Sequence, residues 1–285
     1  MAIPLPVKKY IFILHQATMS RLSFFLFIPL FLLITCLGSN AQIINIDKTD
    51  TSAYEKKSHW NASFSLGVEL DKQNTTLLDM SNFADASLQH YHELYILSAS
   101  NRITSNGDKS FLNTGYVHLR WRHNYKNTLH PEAYGQYQWD EQRGMIHRFV
   151  TGVNLRYGFG HSNKWNMTFA TGVMYENEAW NYAAVDSAKI PPNPVVQNTS
   201  VIKSNNYVKW EGQTSPNSTI SIILFYQALY NHFFQPRVST FISYDAGISK
   251  HFSLGLKYTA LYDVKPIVPL PNFYYSLSTT FSYKL

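Results

Sequence analysis

The sequence predicts an all-β fold, a transmembrane antiparallel β-barrel of about 12 strands, preceded by a cleaved signal peptide. Three observations predict it. From Trp60 onward apolar and polar side chains alternate almost without a break, the connections between alternating segments are short and long in turn, and the chain opens with an apolar stretch that ends in small residues. A strand sends successive side chains to opposite faces, so each alternating segment is a ribbon with one oily and one wet side. FSLGLKYTALYD, residues 252–263, sets Phe252, Leu254, Leu256, Tyr258, Ala260 and Tyr262 against Ser253, Gly255, Lys257, Thr259 and Asp263.

Composition excludes several classes. The 285 residues are 15% charged and 15% aromatic, too aromatic for a disordered chain. Mean hydropathy is −0.21, and no apolar run outside the N-terminus is long enough for a helical span. A barrel escapes such averages, because alternation dilutes its apolar residues. The formal charge is +6, but Lys and Arg are scattered. Nucleic-acid binding needs basic side chains gathered on one face, so solvated charge is the expectation here, with no nucleic-acid partner.

Residues 1–41 read as the signal peptide. Arg21 leads into SFFLFIPLFLLITCLGSNAQ, and Ser39-Asn40-Ala41 suits cleavage before Gln42. Met19 serves as an alternative start, since MSR and the apolar run make a complete signal. The single cysteine, Cys36, lies in this stretch; a lipoprotein reading of it is disfavoured by the bulk of Thr35 in front. Cleavage leaves an exported chain held together without disulfides. Residues 42–58 are a polar periplasmic lead-in, and 59–285 form the barrel.

The strands follow in order. WNASFSLGVEL opens them with Trp60, Ala62, Phe64, Leu66, Val68 and Leu70 on the oily face. VHLRWRHN, EAYGQYQWD, HRFVTGVNLRYGF, WNMTFATGVMYENE, TISIILFYQAL and STFISYDAGI each alternate, with Ile223 and Phe225 breaking the rule. Less regular strands are expected near 78–88, 93–103 and 205–212. In 93–103, Leu94 and Ile96 compete with Tyr95, Leu97 and Ala99 for one face, so periodicity does not set its register. YSLSTTFSYKL ends the chain, and its strand is expected to pair with the Trp60 strand and leave no edge. Connections at 89–92, 126–130, 160–164, 214–217 and 249–251 are short, whereas 181–204 and 263–272 of the other parity are long. Short periplasmic turns with longer external loops belong to outer-membrane barrels. A soluble two-sheet sandwich also alternates, yet has no reason to sort its loops this way.

Trp60 opening an alternating strand, the segment HPEAYGQYQWDEQRGMIHRFVTGVNLRYGF and the closing PNFYYSLSTTFSYKL together resemble the salt-induced outer-membrane protein family, catalogued as domain of unknown function 481. The resemblance covers 60–285, and its most specific part is the progression Gln136, Gln138, Asp140, Arg148, Gly152. It implies an outer-membrane barrel and leaves activity open. The Ala-Gln cleavage junction is similar to that of exported proteins from Bacteroidetes-type bacteria.

The residues expected to line the lumen carry both signs: Glu69, His118, Arg120, Arg122, Glu132, Arg148, Arg156, Glu176, Lys209, Glu211, Asp245 and Lys257. Rings of charge can set pore selectivity or build a ligand cavity. Mixed signs instead favour ion pairs that fill a narrow lumen and offset the cost of burying each charge. His90 and His92 share a strand face without a third ligand, so no metal site is expected. No G-x-S-x-G elbow occurs, and TGVNLRYGFG lacks the following helix of a dinucleotide fingerprint. The Pro-rich pieces 191–194 and 266–271 read as stiff external loops. The expectation is a passive bacterial outer-membrane protein, a narrow channel or structural envelope component, with no catalytic residues and no cofactor. Its partners are outer-membrane lipid and, during assembly, the insertion machinery. A barrel-embedded lipid hydrolase and a soluble periplasmic β-sandwich binding protein are the alternatives.

Overall fold

Period-two alternation over ten or more residues can be satisfied only by long strands with one face in each environment, and the chain forms twelve. They are β1 (His59–Lys72), β2 (Thr76–His90), β3 (Glu93–Asn106), β4 (Phe111–His123), β5 (Leu129–Asp140), β6 (Met145–Phe159), β7 (Trp165–Trp180), β8 (Gln197–Ser215), β9 (Ser218–Leu229), β10 (Arg237–Gly247), β11 (Phe252–Asp263) and β12 (Phe273–Tyr283). The computed structural model describes residues 58–72, 76–106, 111–159, 164–249 and 252–283. The signal peptide, the Met19 start, the Cys36 alternative and the lead-in up to residue 57 lie outside the described residues.

Every strand pairs with its neighbours in sequence, giving one 12-stranded antiparallel meander that curls into a half-barrel. A sandwich would divide these strands between two sheets; here one sheet holds them all. Among the described residues β1 and β12 share no register, so the expected closing pair is not made and these strands are the two edges. The curl nonetheless brings Lys257 of β11 over the Phe83 ring of β2, with Nζ 5.7 Å from the centroid.

The registers align one inner row across the sheet. Gln89, Leu94, Arg122, Glu132 and Asn154 follow one another from β2 to β6, each opposite the next. This row settles β3: Leu94, Ile96 and Ser98 are buried opposite Arg122, Arg120 and His118, while Tyr95 and Leu97 are exposed. The competing apolar pattern is resolved because its neighbour β4 must turn its arginines inward. β8 is also longer than expected, since 197–204 is strand where a loop was predicted. Its outer residues there include Asn198 and Ser200, so both faces are partly polar and period two fades from the sequence.

The strand ends that precede and follow connections 91–92, 124–128, 160–164, 216–217 and 248–251 lie at one end of the sheet, the turn end. The longest, 181–196, 230–236 and 264–272, all lie at the other, the loop end. Between β5 and β6 a 3-10 turn (Glu141–Arg143) closes at Gly144, whose φ of 76° is left-handed. There glycine is required twice over, because a Cβ would also stand 2.8 Å from the carbonyl oxygen of Asn181.

Polarity is inverted relative to a water-soluble protein. Among the described residues, buried positions include more polar and charged side chains than apolar ones. The outer face exposes Leu97, Val117, Leu119, Val153, Leu155, Val173 and Leu224 along the middle of the strands. Aromatics gather toward both ends of that face. At the turn end Trp165 stacks on Trp210 at 4.7 Å, and Tyr157 on Phe159 at 6.0 Å. At the loop end stand Tyr137, Trp139, Tyr175, Tyr262, Phe273 and Tyr275. Trp165 lies flat over Gly212 and Trp139 over Gly115, each ring occupying the space a side chain would need.

Candidate functional site

The inner face holds two charged layers with an apolar layer beside them. The layer nearer the turn end is built on Glu132 of β5. Arg122 Nε donates to Glu132 Oε2 at 2.9 Å, Arg156 Nη1 donates to the same oxygen at 3.0 Å, and Arg120 Nη1 lies 3.5 Å from it. Asn154 Nδ2 and the Tyr207 hydroxyl donate to Glu132 Oε1 at 3.0 and 3.1 Å. These side chains are almost wholly buried. A carboxylate that accepts from several donors at once can offset the desolvation of a buried charge, as a single ion pair often cannot. Beside them His118 pairs through Nδ1 with Gln136 Oε1 at 3.1 Å.

Nearer the loop end Glu176 and Glu178 of β7 are two residues apart and therefore face the same way. Arg148 Nε donates to Glu176 Oε1 at 2.8 Å and Glu178 Oε1 at 2.9 Å. Arg237 Nη1 donates to Glu176 Oε1 at 3.0 Å and also reaches Glu178, while its Nε donates to Asp263 Oδ2 at 2.9 Å. Lys203 Nζ donates to the other oxygen of Glu176, and Trp180 Nε1 to Glu178 Oε2 at 2.9 Å. Arg148, Arg237 and Lys203 thus meet Glu176, Glu178 and Asp263, and the layer is formally neutral. Ala170, Tyr207, Ile223 and Phe241, with Phe225 packed on them, form the apolar layer. Ile223 and Phe225 break the alternation of β9 because they belong to this interior cluster.

A cavity of about 100 Å³ opens against the loop-end layer. Gln136, Gln138, Arg143, Met145, Arg148, Trp180, Phe225, Gln227, Arg237, Ser239 and Leu261 line it. Met145 and Trp180 also belong to an apolar cap with Val185 of the 181–196 connection and Val268 and Leu270 of 264–272. Arg143, from the β5–β6 turn, lays its guanidinium 4.6 Å from the Tyr274 ring centroid and 5.4 Å from that of Trp180. Burial lowers its pKa from the ordinary arginine value, and Asp140, with Nη1–Oδ2 at 3.9 Å, works against that shift.

Of the sequence-predicted lumen residues, Arg120, Arg122, Glu132 and Arg156 meet in the first layer with His118 adjacent, and Arg148 and Glu176 meet in the second. Lys209 pairs with Glu211 at 3.0 Å, closer to the turn end. Lys257 covers Phe83. Asp245 lies opposite Thr219 and Gly255 in its registers and joins neither layer. Glu69 pairs with Asp79 in the β1–β2 register, and its side chain lies outside the described residues. Sequence reasoning missed Glu178, Lys203, Arg237, Asp263 and Arg143. Glu178 was readable as the next inward residue after Glu176; Lys203 fell in a presumed loop. Among the described residues no group of three or more His, Cys, Asp or Glu side chains could hold a metal. The Ser58 hydroxyl meets His90 Nδ1 at 2.6 Å, exposed at the turn end and far from the charged layers in the fold.

Fold and site together define a β-barrel-type protein with an apolar exterior and an ion-paired interior. No family model matches the chain, and no curated protein is significantly similar to it.

Proposed function

We propose that this chain is a bacterial outer-membrane barrel whose lumen is held closed by its own side chains, a structural component of the envelope and not an open diffusion pore. The observation that carries this reading is the inversion of polarity. Aliphatic side chains line the outer face between two aromatic zones, while arginines and glutamates are buried inside. Exposing so broad an apolar surface to water is unfavourable, whereas hydrocarbon flanked by aromatic girdles accommodates it. Strands of 11–19 residues meet or exceed the roughly 9–11 that a tilted strand needs to cross. On this reading the turn end faces the periplasm and the loop end the exterior.

Closure is supported by the interior. The two ion-pair layers and the Ile223–Phe241 cluster occupy much of the inner face of β4–β10, and the lumen of a small barrel is readily filled by side chains. The test is membrane fractionation with migration on unheated and boiled gels, followed by planar-bilayer recording. An outer-membrane band that shifts on boiling, from a protein silent in bilayers, is expected. A folded, monodisperse protein in plain buffer would refute the membrane assignment; large stepwise conductance from the native chain would refute closure.

A further inference from the structure

We propose that the cavity under the loop-end cap is a binding site for a small oxyanion, a carboxylate or an inorganic sulfate or phosphate, with Arg143 as its principal ligand. Arg143, Arg148 and Arg237 present three guanidiniums to the cavity, and Gln136, Gln138 and Gln227 present three amides. Among the described residues no carboxylate lines it. Glu176, Glu178 and Asp263 neutralise Arg148, Arg237 and Lys203 from behind, and Asp140 stands 3.9 Å from Arg143 Nη1, so the carboxylates sit behind the guanidiniums while the wall that faces the cavity is cationic.

Arg237 and Arg148 Nη2 are engaged by carboxylates, but other donors on this wall are under-used. Arg143 Nε is buried with no hydrogen-bond partner. The Arg148 contacts toward the cavity are long, 3.5 Å from Nη1 to Gln138 Oε1 and 3.3 Å from Nη2 to Gln227 Oε1. A buried donor without an acceptor is costly, and a guanidinium offers its planar fork to oxyanions above other ligands. The forks are also held in place. Two bonds from Arg148 Nε fix its plane against Glu176 and Glu178, and the Trp180 and Tyr274 rings flank Arg143. A ligand therefore finds its donors already oriented.

Size sets the class. A cavity of about 150 Å³ admits benzene, so one of about 100 Å³ takes roughly four or five non-hydrogen atoms, the size of acetate, sulfate or phosphate. Phe225, Leu261, Met145 and Trp180 supply an apolar side that a carboxylate's alkyl end can occupy. This inference concerns the cavity alone, and it stands or falls separately from membrane location and closure.

The experiment uses the full chain, matured by its expression host and purified in detergent. Tryptophan fluorescence is followed while acetate, sulfate or phosphate is added at constant ionic strength maintained with chloride, and acetamide serves as the neutral match for acetate. Saturable quenching by at least one oxyanion and none by acetamide is expected, with the signal lost in Trp180→Phe. Arg143→Gln should weaken binding by about tenfold or more, the loss of one charged hydrogen-bond donor, and Lys164→Gln at the turn end should leave it unchanged. Should Arg143→Gln fail the boiled-gel folding check, Ser239→Asp, which places a carboxylate on the cavity wall, should abolish binding in a folded barrel. No saturable response, equal binding of acetamide, or undiminished binding in a folded Arg143→Gln or Ser239→Asp barrel would overturn the proposal. Preference among the three anions distinguishes a carboxylate site from a sulfate or phosphate site.

Discussion

Buried polar atoms from β4, β6 and β8 converge on Glu132. Three guanidiniums, one amide and one phenol address its two oxygens, and it is 1% exposed. Removing one partner of a buried ion pair leaves uncompensated charge and costs about 3–5 kcal/mol. Glu132→Ala is therefore expected to lower the urea-unfolding free energy of the detergent-solubilised barrel by about that amount. Adding Arg156→Gln should recover part of the loss, and a cost below about 1 kcal/mol would mean the cluster is solvated. How much of this was legible in sequence differs by residue. The direction of Glu132, Arg122 and Arg156 follows from alternation along their strands. Their convergence does not, because Tyr207, which completes the set, is 75 residues from Glu132 in the chain.

Elements owe their ends to a few local constraints. Gly144 stops the β5–β6 turn in a left-handed conformation and receives the backbone N–H of Asn181 on its carbonyl at 2.8 Å. Gly144→Ala should cost about 1–2 kcal/mol from backbone conformation alone, and more if Asn181 cannot withdraw. The same unfolding measurement checks it, and a neutral substitution would show that the turn relaxes freely. The sidedness of the connections is tested by single cysteines. Val195→Cys in the exposed 181–196 connection should react with an impermeant thiol reagent on intact cells. Asn217→Cys, in the 216–217 turn, should react only after the outer membrane is opened. The reverse pattern would invert the proposed orientation. The parity of long and short connections was readable from the sequence. The upper part of β8 was not, because beyond the apolar belt both faces of a strand meet polar surroundings.

For the whole molecule, the decisive quantity is the balance of charge inside the curl. Three cations and three anions neutralise one another in the loop-end layer. Glu176→Gln combined with Glu178→Gln leaves Arg148, Arg237 and Lys203 facing Asp263 alone, a net positive constriction. Rings of charge set ion preference, so this double variant should show small stepwise conductance favouring anions where the native chain is silent. A silent double variant that still migrates as a folded barrel would place the seal elsewhere, in the Ile223–Phe241 layer. The exterior makes a parallel demand. Val153 is 61% exposed and Phe64 67% exposed, and replacing Val153 with Arg at mid-strand should hinder insertion by about 2–4 kcal/mol, read as a lower folded fraction in lipid vesicles.

By itself the sequence determined that this chain makes strands, which side of most of them is apolar, and which connections are long. Those are properties of neighbours along the chain, and a period of two is visible without knowing what lies across the fold. Only the tertiary structure decided which charges meet, that two distant connections share an apolar cap, that a cavity opens beside Arg143, and that β1 and β12 remain edges among the described residues. Arg148 and Gln227 are 79 residues apart yet face the same cavity. Contacts of that kind depend on how far the sheet curls, a collective result of all its registers that no local pattern encodes.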